Sequence, residues 1–114
     1  MPAFEEHCRD CEYLLGDRCE AVNRWMDGKT RTHGQQGHRR VRHHREGAAE
    51  AGALFGKLGE QAALIHILKD CGHIPNAEVY GTGRVDNLGM KGVFNGYWDP
   101  QQFVQAARQI LERR

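Results

Sequence analysis

No run of apolar residues in this chain approaches the roughly 20 needed to cross a bilayer, which argues against a membrane-spanning helix. The opening residues, MPAFEEHCRDCEYLL, have no basic stretch followed by an apolar one. No secretory signal is therefore read, and the expected setting is cytoplasmic. Net charge is close to absent at +1, so the chain as a whole is not drawn to nucleic acid or to acidic surfaces. Aromatic residues are few, at 8%, and none is interleaved with the arginines as a base-stacking surface would require. The phosphate-loop pattern GxxxxGK[ST] is missing as well. Gly81-Thr82-Gly83-Arg84 and Gly89-Met90-Lys91-Gly92 look like it only in glycine content, and neither joins a strand to a helix. No internal repeat is present.

What remains is a chain of 114 residues, enough for one ordinary domain with a single core. Its 39% hydrophobic and 27% charged residues are those of a globular protein. The small net charge conceals three blocks. Residues 1–27 hold seven acids and three bases, a net of −4. Residues 28–45 hold six bases and no acid, and residues 46–114 hold eight acids and seven bases, nets of +6 and −1. Acidic and basic blocks so close in sequence are expected to pair largely with each other.

The apolar spacing predicts about five helices. Phe4, Cys8, Cys11, Leu14 and Leu15 share a face over residues 3–15, with Gly16 as the stop. Asp17 is read as the cap of a helix over 18–27, whose stripe is Cys19, Val22, Trp25 and Met26. Residues 28–37, GKTRTHGQQG, contain nothing hydrophobic and form a loop. A third helix is expected over 38–55, with Val41, His44, Ala48, Ala51 and Phe55 inward. Its small residues Ala48, Ala49, Ala51, Gly52 and Ala53 would admit a close neighbour, in the same chain or across a two-fold axis of a homo-oligomer. Residues 58–71 are apolar nearly all round and mark the central helix. A long glycine-rich irregular segment follows over 73–98, a candidate cover walled by Tyr80, Phe94, Tyr97 and Trp98. Asp99-Pro100 then starts the last helix. The fold class is all-α.

Within these apolar helices, His43-His44 and the pair His66 and Asp70 are out of place. Residues four apart share one helix face, and burying such groups is costly unless they are paired or bound. Imidazole nitrogens and a carboxylate suit a divalent metal such as zinc or manganese, and two packed helices can bring them to one point. His43, His44, His66 and Asp70 are accordingly the candidate ligands, with Glu46 as the candidate base for a metal-activated water. The alternative is that the histidines are hydrogen-bonded core residues. A second candidate is His7, Cys8, Cys11 and Cys19, since Cys-x2-Cys is half of many zinc sites. The same cysteines lie on apolar helix faces, where free thiols behave as small hydrophobes. Third, Arg39, Arg42 and Arg45 in the run HRRVRHHR could contact phosphate, whether on a small molecule or on nucleic acid, or an acidic partner. A solvated face bridged to the acidic helices is the plainer reading of that run.

An adjacent His-His pair resembles the His-Asp pair of HD-domain phosphohydrolases, with histidine standing here where that motif has aspartate. Over residues 4–75 the chain also resembles a group of small, uncharacterised proteins of archaea, bacteria and their phages, most specifically in RHHREG and IHILKD. That resemblance implies a prokaryotic or phage origin and no particular activity. The expectation is a small metal-binding helical protein, a hydrolase of a phosphorylated substrate, with a non-enzymatic binding module using the basic helix as the alternative.

Overall fold

The computed structural model describes residues 4–28, 42–71, 74 and 99–112, and these build an all-α fold. Five helices run through them: α1 (Phe4–Leu15), α2 (Glu20–Met26), α3 (Arg45–Phe55), α4 (Lys57–Cys71) and α5 (Pro100–Glu112). The glycine-rich segment expected over 73–98, with its four aromatic residues, falls outside the described residues apart from Ile74, and so does most of the 28–37 loop. No described helix is long and apolar enough to cross a membrane.

α4 is the centre, as its nearly uniform apolar surface requires. Every residue from Ala62 to Leu68 is buried, and the helix packs against all four others. Leu64, Ile65 and Ile67 are fully enclosed, together with Met26 from α2 and Phe103 from α5. Each such side chain contributes about 1.5–3 kcal/mol by leaving water. α5 starts as predicted, with the Asp99 carboxylate accepting from the Gln102 N–H at 3.2 Å and Pro100 in the first turn.

α3 and α4 form a tight antiparallel pair across Gly56, whose φ of 86° is one a side chain would strain. Ala48 and Ala51 are buried in the core, and a Cβ on Gly52 would stand 3.1 Å from the Glu60 Cβ. These members of the small-residue surface are therefore used inside the chain, against α4.

Two helix starts differ from expectation. α1 ends at Gly16 as read, its N–H donating to the Glu12 carbonyl at 2.9 Å. α2, however, begins at Glu20 rather than 18. Asp17 instead accepts from the Cys19 N–H at 2.7 Å, closing a turn, and Cys19 takes a left-handed φ of 51° before the helix begins. α3 begins at Arg45 with His44 as its cap, so His43 and His44 precede the helix. Both shifts arise because a side-chain acceptor satisfied backbone donors locally, ahead of the apolar period. Among the described residues, Glu5 and Glu20 meet Arg18 at 2.8 and 3.0 Å, and Asp10 meets Lys69 at 3.4 Å. Most of the basic block expected to pair with the acidic one lies outside the described residues.

Candidate metal centre

His66 and Asp70 stand one turn apart on the face of α4 that meets α1 and α2. Asp27 closes the C-terminal end of α2 above them. His43 arrives from the bend that leads into α3. Among the described residues, Asp27, His43, His66 and Asp70 are the one group that offers ligand atoms all within 4.8 Å of one another. His43, His66 and Asp70 are almost wholly buried, while the Asp27 side chain keeps 33% of its surface exposed. The group is thus open to water from one side.

The distances within it are short. His43 Nε2 lies 2.9 Å from Asp70 Oδ2 and 3.7 Å from Asp27 Oδ1. His66 Nε2 lies 3.3 Å from Asp70 Oδ2 and 3.2 Å from Asp27 Oδ1. Atoms with those separations, each about 2.1 Å from a shared ion, would subtend roughly 90° to 125° at it, the range of a distorted tetrahedron. The His43 and His66 rings cross at 75°, so their in-plane lone pairs can converge.

Asn23 decides which nitrogen of His66 faces this point. Its Nδ2 donates to the carbonyls of Arg18 and Cys19, both at 3.1 Å, which turns its Oδ1 toward His66. An amide oxygen only accepts, so His66 Nδ1, 2.9 Å away, must carry a hydrogen and donate it. Nε2 is left aimed between two carboxylates, where only a proton or a cation is at ease. Burial alone would lower the basicity of His66, but Asp27 and Asp70 overcome it and raise its pKa to about 9. Burial likewise favours a neutral Asp70, but the imidazoles of His43, His66 and His7 hold its carboxyl well below the usual range. The metal-free site is therefore an ionised carboxylate facing a protonated imidazole, the state a divalent ion would displace.

His43 is pinned from both sides. Before it, the Arg42 guanidinium stacks over the Trp25 ring at 4.0 Å and donates to the Trp25 carbonyl, a cation at the negative end of α2. After it, His44 Nδ1 accepts from the Gly47 N–H at 2.9 Å. The chain turns sharply at His43, where the His44 N–H meets the Arg42 carbonyl at 2.9 Å. It then runs extended through His44, so the two side chains leave in different directions. His43 therefore enters the cluster while His44 turns to the first turn of α3. This corrects the predicted ligand set: His44 is a helix cap, and Asp27 takes the fourth place. Glu46 is exposed, 3.8 Å from His44 Nδ1, and is not a member of the group. Of the three candidate anion contacts, Arg42 is engaged with Trp25, Arg45 is exposed, and Arg39 lies outside the described residues.

The approach to α3 depends on Gly47. A Cβ there would stand 2.0 Å from the Arg42 carbonyl oxygen. Gly47→Ala is expected to push Arg42 and His43 off α3, destabilising the fold by a few kcal/mol and withdrawing one ligand. Thermal unfolding and metal uptake of the variant would register both effects, and a variant equal to the parent in each would contradict this account.

The cysteine cluster is corrected too. His7, Cys8, Cys11 and Cys19 do not form a ligand group among the described residues. Cys8 and Cys11 instead receive the Asn23 Nδ2 at 3.8 and 3.5 Å, and His7 faces away from them, its ring stacked on His66. Burial raises the pKa of all three thiols, Cys11 to about 12 and Cys19 to about 11, so they sit as protonated core residues.

Asp27 and Asn23 escaped the sequence reading. Asp27 did leave a signal: an acid at the end of a helix meets the negative end of its dipole, an unfavourable place without a cation. Asn23 left none, because its partners come from three other segments. Fold and site together describe an all-α protein with a buried histidine–aspartate cluster able to hold a metal ion. No protein-family model, curated protein or solved structure matches the chain.

Proposed function

We propose that this protein binds a divalent transition-metal ion, zinc or manganese, through His43, His66, Asp27 and Asp70, and is a metal-dependent hydrolase of phosphorylated small molecules. The observation that carries the metal is the convergence of two imidazole nitrogens and two carboxylate oxygens within 4.8 Å, drawn from three separate segments. Nitrogen with oxygen is the donor set those ions prefer. An ion so held would lower the pKa of a bound water and supply hydroxide near neutral pH. The half-exposed Asp27 marks the side from which water and substrate would enter. The phosphorylated class of substrate is inferred from the sequence alone, from the six bases and no acid of residues 28–45.

Protein purified without a histidine tag is expected to hold metal, or to take it up after chelation. Zinc or manganese at 100 times its dissociation constant should stabilise the fold by about 2.7 kcal/mol. Hydrolysis of p-nitrophenyl phosphate by the loaded protein, lost on chelation, would support the activity. Absence of metal together with no thermal shift would overturn the reading.

A further inference from the structure

His7 is the group this single-ion site leaves unexplained. It projects from α1 onto the cluster, is 1% exposed, and has no hydrogen-bond partner on either ring nitrogen. Nδ1 has no partner, and Nε2 meets only the Asp70 carboxylate, outside hydrogen-bonding geometry. Burying so poorly satisfied a pair is costly, and a cation between the two would relieve it. It does not share the ion of His66. The two rings are stacked, with centroids 3.6 Å apart and planes within 11° of parallel. The lone pair of an imidazole nitrogen lies in its ring plane, and nearly parallel planes at that spacing do not meet within ligand reach.

Asp70 supplies the other half of the observation. Its Oδ2 faces His43 and His66, while its Oδ1 lies 3.2 Å from His7 Nε2. Oδ1 and Nε2 are both buried, and neither makes a hydrogen bond. They border a common point rather than aim at each other. For two ligands about 2.1 Å from one ion, that separation corresponds to an angle of roughly 100°. Asp10, one turn beyond His7 on α1, also keeps its Oδ2 buried and without a hydrogen bond, with Lys69 Nζ 3.4 Å away.

We infer that Asp70 is a bridging carboxylate, and that His7 Nε2 with Asp70 Oδ1 binds a second divalent cation beside the first. The second ion has two protein ligands and completes its shell with water, the habit of manganese- and magnesium-like ions more than of zinc. Two such ions about 3.5–4 Å apart form the clamp that takes a phosphoryl group. This inference rests on the single-ion reading above, and the experiment separates the two.

The full chain, tag-free and chelator-treated, is titrated with Mn(II), and bound ions are counted by equilibrium dialysis with electron paramagnetic resonance on the same samples. Two equivalents per chain with an exchange-coupled multiline signal are expected. His7→Phe, which keeps a ring stacked on His66, should bind one equivalent and give an ordinary six-line spectrum. One equivalent and a six-line spectrum in the parent protein would overturn the second ion while leaving the first, with His7 then merely orienting Asp70. Two equivalents without coupling, unchanged by His7→Phe, would place the second ion elsewhere and overturn the inference. No bound manganese or zinc would remove both readings. The parent spectrum needs no variant, so poor folding of His7→Phe would not shield the inference.

Discussion

Asp70→Asn is expected to abolish metal uptake and to destabilise the metal-free protein by about 3–5 kcal/mol, the scale of breaking a buried ion pair from one side. The residue is almost fully buried and surrounded by the imidazoles of His7, His43 and His66. Asparagine keeps the shape but removes the charge that holds His66 protonated, and it turns one acceptor into a donor facing imidazole N–H groups. Denaturant unfolding of chelated protein reads the stability change, and metal analysis reads the uptake. A variant as stable as its parent and still loaded with metal would contradict the central place given to this carboxylate.

Metal affinity is expected to rise about tenfold per pH unit between pH 7 and 9 and then level off, because the ion must displace one proton from His66 Nε2. The landmark is the His66 pKa of about 9, against 6.5 for a free imidazole. Stability of the metal-free protein should run the other way. The contribution of His66 is fully present below about 6.5 and is lost as pH rises through 9. Asp70, whose pKa is lowered, contributes above the ordinary carboxylate value of 3.8 and loses that contribution in strong acid. Metal-free protein is therefore most stable from mildly acidic to neutral pH, and loaded protein is favoured on the alkaline side. Calorimetric titration at several pH values, in buffers of different ionisation enthalpy, would count the released proton. An affinity flat across pH 7 to 9 would show that His66 does not surrender a proton to the ion.

Much of the architecture was legible without coordinates. The apolar circumference of residues 58–71 marked the central helix, and Gly16, Gly56 and Asp99-Pro100 marked ends and starts, since these signals act through the local backbone. His66 and Asp70 were legible as a pair because helical period alone puts them on one face. Apolar spacing misleads where a side chain competes with the period. His44 fits an inward helical stripe by spacing, yet its imidazole caps α3 and the helix begins one residue later. His7 groups with its cysteine neighbours by sequence spacing, while its ring belongs to the face of α1 that meets α4.

By itself, then, the sequence determined the helices, the buried central one, and the fact that ionisable groups would have to be reconciled with its apolar surroundings. Periodicity and capping are short-range physics, and they can be read from residues a few places apart. Only the tertiary structure decided which groups meet. Asp27, His43 and Asp70 converge because α2, the approach to α3, and α4 pack around the same core. Contacts between residues 16 to 43 places apart in the chain, like the bond from His66 to Asn23, carry no local signature.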